Sequence, residues 1–298
     1  MIDEKDWQER YASTTAARKR QKKRGLGRKI RNGVWMLAGL ALAVLWFFWQ
    51  QNGLSTEVLT VSSAPEGFAG YRVAVVSDLH GKEFGPDNET LLRFVEGLEP
   101  DLIALTGDLI HDEAQLTMVP ALAQGLAAIA PTYYVTGNHE WAAGVVRQLE
   151  PLLTECGVTV LSNDYVMLER GGDRIALLGA EDSNGYADQK TISALVEEVR
   201  QAQGADVYTL LLSHRNNRLS EYTAAEVDLT LAGHAHGGLI RLPGTDGLIG
   251  PAREWFPSYT AGLYDLSYGQ IAVSRGLGNQ FPAFRLLNRP DVPVVVLG

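Results

Sequence analysis

Six short apolar runs recur along the chain, Val73–Val76, Leu102–Leu105, Tyr133–Val135, Ile175–Leu178, Tyr208–Leu212 and Leu229–Ala232. Several are separated by stretches whose apolar residues repeat at helical spacing. The continuous apolarity of the runs, alternating with helical spacing, reads as buried strands between helices, so the pattern predicts an α/β fold and not a helical bundle. Helices are predicted over Asn88–Leu98, Leu116–Ile129, Ala142–Glu155 and Thr191–Gln203. Glu99-Pro100 and Ala130-Pro131 close the first two. Val58–Val61 reads as a first strand and Val292–Leu297 as a last one. From Gly238 onward the chain is richer in Gly, Pro and Tyr, and no internal repeat is present.

Ahead of this pattern lies a segment of another kind. Residues 1–33 hold eleven Lys/Arg against four Asp/Glu, nine of the basic residues between Arg18 and Arg31. Val34 to Trp49 follows without a charged or polar side chain and ends in Trp46, Phe47, Phe48 and Trp49. A span needs roughly 17–25 residues, which flanking residues supply, and Trp suits the headgroup zone. No small-x-small cleavage site directly follows Trp49, so an uncleaved signal anchor is expected in preference to a signal peptide. The expected division is a basic cytoplasmic tail (1–33), a transmembrane anchor (34–50), a stalk with the first strand (51–70) and the main folded domain (71–298). The basic block would hold the N-terminus in the cytoplasm and place the domain outside it, in a single-pass cell-membrane protein. After residue 33 the chain carries 15 Lys/Arg against 31 Asp/Glu, a balance of −16 that disfavours nucleic acid as a partner. Cys156 is the only cysteine, so no intramolecular disulfide can form.

The ionisable residues fall just past the predicted strand ends. Asp78 and His80 follow Val73–Val76; Gly107-Asp108 follows Leu102–Leu105; Gly137-Asn138-His139-Glu140 follows Tyr133–Val135; Ser213-His214 and Gly233-His234-Ala235-His236 follow the last two runs. Five of the six histidines lie at such positions, at the sheet edge where α/β proteins bind ligands. Carboxylates, an amide and imidazoles are ligands for Mn, Fe or Zn. One metal would leave ligands over, whereas two divalent ions about 3.5–4 Å apart and sharing a carboxylate would use the set in a phosphoryl displacement. Singly, Asp78 or Asn138 reads as a turn residue. His80 and His139 beside them reverse that reading.

The blocks Asp78-Leu79-His80, Gly107-Asp108, Gly137-Asn138-His139-Glu140, His214 and Gly233-His234-Ala235-His236, in this order, resemble those of the calcineurin-like metallophosphoesterases. The resemblance runs from about Val58 to the C-terminus, includes Arg275-Gly276-Leu277-Gly278, and looks closest to the membrane-associated bacterial branch. It implies a four-layer α/β/β/α sandwich of two mixed sheets. It further implies that Asp78, His80, Asp108 and His236 hold one metal, and Asp108, Asn138, His214 and His234 the other. A metal-bound hydroxide would attack phosphorus, and His139, not a ligand, would assist the leaving group. Two positions depart from the family pattern. Where several branches carry an aspartate supporting the catalytic histidine, this chain has His111, followed by Asp112. His214 is followed by Arg215-Asn216-Asn217, without the proline frequent in relatives.

His111 is read as a supporting or surface residue. Arg215, Arg253 and Arg275 are candidates for phosphate contact, though arginines are mostly solvated. The expected activity is hydrolysis of a phosphorylated small molecule, or of a lipid-linked diphosphate such as a nucleotide-activated glycolipid held near the bilayer. The competing class is a silent metal-binding scaffold, which should have lost a ligand or His139; none is missing. Specificity is assigned to the loops Asp182–Asp188 and Gly238–Tyr259.

Overall fold

The computed structural model describes residues 4–242, 244–250, 253–279 and 283–298. It divides into two compact units, up to Trp49 and from Gln50 onward. The first consists of helix α1 (Glu4–Asn52), which continues into the first residues of the second unit. It contains one stretch long and apolar enough to cross a membrane, and its apolar side chains are exposed throughout, Trp35 and Leu45 among them.

Among its described residues the second unit holds twelve strands in chain order: β1 (Val58–Val61), β2 (Arg72–Val76), β3 (Leu102–Leu105), β4 (Thr132–Tyr134), β5 (Thr159–Val160), β6 (Asp164–Arg170), β7 (Asp173–Ala180), β8 (Tyr208–Ser213), β9 (Leu229–Ala232), β10 (Gly262–Asp265), β11 (Gln270–Val273) and β12 (Val294–Leu297). They form two six-stranded mixed sheets, ordered β1-β12-β2-β3-β4-β5 and β10-β11-β9-β8-β7-β6. Strands β2, β3 and β4 run parallel, as do β7, β8 and β9, so in each sheet several C-terminal ends face the same edge.

Strand periodicity builds the layers. In β2, Val73 and Val75 face the second sheet while Ala74 and Val76 face helices; in β8, Leu210 and Leu212 point inward and Leu211 outward. The outer face of the first sheet is covered by α2 (Glu89–Glu96), α3 (Val119–Ile129) and α5 (Val146–Glu155), and that of the second by α6 (Ile192–Gln203) and α7 (Leu219–Ala224). The four-layer α/β/β/α expectation is met. Each fully buried Leu or Val contributes about 1.5–3 kcal/mol relative to exposure, which is why the six predicted runs are strands.

Where prediction and structure differ, backbone chemistry explains it. The helix expected over Ala142–Glu155 is two: α4 (Asn138–Ala143) ends at Gly144, whose φ of 70° terminates it, and α5 starts afresh at Val146. The region expected as a stalk is packed, since Ser55 bridges Asp291 and β1 pairs in parallel with β12.

Candidate metal centre

Every polar block named above lies just past the C-terminal end of a strand: Asp78 and His80 after β2, Asp108 after β3, Asn138 and His139 at the start of α4 after β4, His214 after β8, His234 and His236 after β9. The packed sheets bring these loops together. Asp78, His80, Asp108, His234 and His236 all have φ between 49° and 67°, the left-handed region that L-residues avoid. Such strain costs on the order of 1–3 kcal/mol per residue and persists only where surroundings enforce it. Glycine makes the approach possible: Gly107 has φ 83°, and a Cβ there would lie 2.5 Å from the Gly137 nitrogen.

Three groups of ligand atoms lie within 4.8 Å of one another: Asp78, His80 and His236; His80, Asp108 and His139; Asp108, His214 and His234. In the first, His80 Nε2 is 3.1 Å from His236 Nε2, which is 3.6 Å from Asp78 Oδ1. In the last, His214 Nε2 is 3.2 Å from Asp108 Oδ2 and 3.1 Å from both Asn138 Oδ1 and His234 Nδ1. Asp108 Oδ2 joins the groups, lying also 3.7 Å from His80 Nε2 and 3.9 Å from His139 Nε2. Two donors about 2.1 Å from one cation at tetrahedral or octahedral angles are roughly 3.0–3.4 Å apart, so the spacing suits cations.

Tautomers support the fit. His214 Nδ1 is 2.8 Å from the Thr106 carbonyl and His236 Nδ1 is 3.2 Å from the Gly278 carbonyl. A carbonyl only accepts, so each Nδ1 carries a proton, which leaves each Nε2 as the atom that would face a cation, the usual arrangement behind a metal-bound imidazole. Burial lowers the pKa of His80 well below its ordinary value, with His236 adding to the effect, and lowers His236 as well. Burial, then His214 and Arg215, pushes His234 down to about 2. Each shift favours the neutral imidazole, the form that binds a metal. For His214 burial acts downward but is outweighed by the Asp108 carboxylate, which raises it to about 10. Burial would raise Asp108; the neighbouring His214, His80 and His139 hold it far below the carboxylate range instead. A cation would take over the charge balance that a proton on His214 supplies.

Residues 71–238 match the family described as calcineurin-like phosphoesterase. The chain belongs to that family. It is therefore a metal-dependent phosphoesterase. Its relatives include an uncharacterized metallophosphoesterase, YkuE, of Bacillus subtilis, 29% identical with 82% of this chain and 85% of that one covered. The phosphodiesterase YaeI of Escherichia coli is 28% identical, covering 77% and 83%. A transmembrane protein with metallophosphoesterase domain from Bos taurus is 28% identical, covering 83% of this chain and 57% of that one.

Around the candidate site stand further residues, some of which sequence reasoning left without a role. Glu140 is fully buried, and its two oxygens accept the backbone N–H of Gly137, Asp108, Leu109 and Ile110, stitching the loops after β3 and β4 together. The signal was its place three residues after Gly137, where a carboxylate caps a helix start. Ser77 donates to Asp78 Oδ2 at 2.6 Å, and Asp78 accepts the His234 N–H. Asp182 takes two hydrogen bonds from Arg215, at 2.7 and 3.0 Å, and Asn184 Oδ1 accepts a third. Arg275 is committed to Asp291 at 2.9 Å, while Arg253 is exposed on the loop before Trp255. His111 stands with its ring 6.0 Å from that of His80 and 6.4 Å from that of His139. Asp112 turns away to cap the following turn through the Ala114 N–H.

Proposed function

We propose that the chain is a dinuclear, membrane-anchored hydrolase of phosphate esters. Asp78, His80, Asp108 and His236 would hold one divalent ion, Asp108, Asn138, His214 and His234 the other, with Asp108 shared. The observation that carries this reading is the single oxygen of Asp108, facing His214 Nε2 at 3.2 Å and His80 Nε2 at 3.7 Å, one from each group. Mn, Fe and Zn all suit these donors. Bound there, the ions would neutralise phosphate charge and lower the pKa of water.

The chain's own residues supply the rest. The His139 side chain is 24% exposed, against 8% or less for His80, His214 and His236, and its backbone N–H is fixed on Asp108 Oδ1 at 2.9 Å. It would donate a proton to the departing oxygen of the ester. Arg215, oriented by Asp182, would contact a substrate phosphoryl oxygen. A cavity of about 290 Å³ runs from His234 past Asn216 and Asn217 to Glu254, Pro257 and Tyr259, room for the alcohol portion of a substrate.

Residues 34–50 would anchor the chain in the cell membrane, as a member of the membrane-associated bacterial branch, with the tail 1–33 cytoplasmic, 51–70 joining and the catalytic domain 71–298 extracytoplasmic. The exposed apolar helix and the transmembrane designation of the bovine relative support this. The Escherichia coli relative's designation favours a diester, and the anchor favours an amphiphilic one, such as a lipid-linked diphosphate.

The test uses the full chain in detergent with Mn, on aryl phosphate monoester and diester, beside Asp108→Ala and His139→Ala. Activity lost in both, with metal lost only in Asp108→Ala, is the expected result. A wild-type protein with two metals and no activity on any ester would favour the silent scaffold.

A further inference from the structure

The loops after β9 and after β11 form one platform. Arg241 N donates to Leu286 O at 3.0 Å, Leu248 N to Ile240 O at 2.8 Å and Phe256 N to Leu248 O at 3.0 Å, tying four backbone segments side by side. From this platform Trp255 is 70% exposed, Phe256 68%, Leu287 47% and Leu242 45%. Isolated exposed apolar residues are ordinary, but bulky ones gathered on adjoining segments mark an interaction surface. Its charge also differs from the rest of the domain. Residues 239–259 and 283–289 present three arginines that are not buried, Arg241, Arg253 and Arg289, against Asp246 and Glu254, on a domain whose balance is −16.

Chain connectivity says what covers it. The apolar run ends at Trp49, and Gln51 follows two residues later, a reach of at most about 7 Å. Gln51 is locked to the platform: its Nε2 donates to Arg285 O at 2.6 Å, and its Oε1 accepts the Arg285 N–H at 2.9 Å. Leu287 is two residues from Arg285. A platform fastened this close to the end of a membrane span lies at the headgroup layer, where Trp and Arg are favoured.

We infer that this platform, through Trp255, Phe256, Leu242 and Leu287, docks on the lipid bilayer beside the anchor. The same segments reach the metal centre, since Asn288 Nδ2 donates to His236 O at 2.8 Å and Glu254, Pro257 and Tyr259 line the cavity that begins at His234. Docking would thus hold segments that line the cavity close to the bilayer. The inference rests on the anchor proposed above, and its test separates the two.

The full chain, with Cys156→Ala, is reconstituted in vesicles of phosphatidylcholine and phosphatidylglycerol, with one cysteine carrying an environment-sensitive fluorophore at Val44, Phe256 or Tyr186. Labels at 44 and 256 should be quenched by spin-labelled lipid and shielded from aqueous iodide; the label at 186 should behave oppositely. Quenching by lipid at 44 with iodide access at 256 would overturn the docking and leave the anchor standing. Iodide access at 44 would remove the anchor and the docking with it. A label at 256 shielded from iodide yet not quenched by lipid would mean protein covers the face, which also overturns the inference.

Discussion

Replacing Gly233 by alanine tests the proposed division of ligands between two ions. A Cβ at this position would lie 1.9 Å from Ser77 Oγ and 2.4 Å from Asp78 Oδ2, against a practical minimum of 3.0 Å. Ser77 can rotate away, at the loss of its 2.6 Å hydrogen bond to Asp78. The Asp78 carboxylate must also move, by about 0.6 Å or more, although the His234 N–H holds both its oxygens at 3.0 Å. Overpacking of this kind costs about 1–3 kcal/mol. Asp78 groups with His80 and His236 and does not enter the group of Asp108, His214 and His234. Purified Gly233→Ala should therefore hold about one metal per chain where the wild type holds about two, read by plasma mass spectrometry, and lose roughly 100-fold in diester hydrolysis, the scale of an ångström's misplacement at a reacting centre. Gly97→Ala is the control, because its Cβ would meet only the Arg93 and Phe94 carbonyls, at 3.4 and 3.5 Å. A Gly233→Ala protein with two metals and wild-type activity would refute the assignment of Asp78 to one site.

Glu140→Ala removes the acceptor of four backbone N–H groups; loss of roughly 2–4 kcal/mol in chemical denaturation is expected, with metal content reduced, and unchanged stability would show that the loops hold without it. Asp182→Asn, which weakens the support of Arg215, should raise KM for ester substrates about tenfold with metal content intact, and an unchanged KM would remove Arg215 from substrate binding. Burial, then Arg285, lowers Lys82 to about 7. A lysine whose folded pKa is depressed leaves the unfolded chain binding the extra proton between that value and its ordinary 10.5, so stability should rise with pH from about 7 to 10, on the order of a few kcal/mol in all. Lys82→Met should flatten that rise between pH 7.5 and 9.5, and parallel curves would contradict the burial argument.

The parts of the fold that were legible are those fixed by burial on two faces. Strands β2, β3, β8 and β9 read directly from apolar runs because both sides of each are covered, by the partner sheet and by helices. Strand β6 went unread although Tyr165-Val166-Met167-Leu168 is itself a continuous apolar run; it lies at the end of its sheet, and its residues are only half-buried or exposed. Strands β10 and β11 are four residues each and pair through a tight turn at Gly269, a length at which pattern cannot outweigh turn chemistry.

The site was legible as a set of residues and not as a geometry, and the difference lies in the backbone. Chain order shows that Asp78, Asp108, His214, His234 and His236 follow strand ends, which is enough to bring them to one edge. It does not show that four of these five take left-handed φ values, nor that His234 and His236 sit on a tight turn past β9 where simple alternation along a strand would have pointed them to one side. Those conformations are unfavourable one residue at a time, so no local propensity encodes them. They are imposed by long-range bonds: the Asp78 N–H on the Gly107 carbonyl, the His80 N–H on the Asp108 carbonyl, the Gly233 N–H on the His214 carbonyl. Each joins two loops that the sheets have already brought side by side. Packing comes first in this reasoning, and the ligand geometry follows from it. A substitution in the inter-sheet core that shifts one strand past another should consequently damage the metal centre before it unfolds the protein.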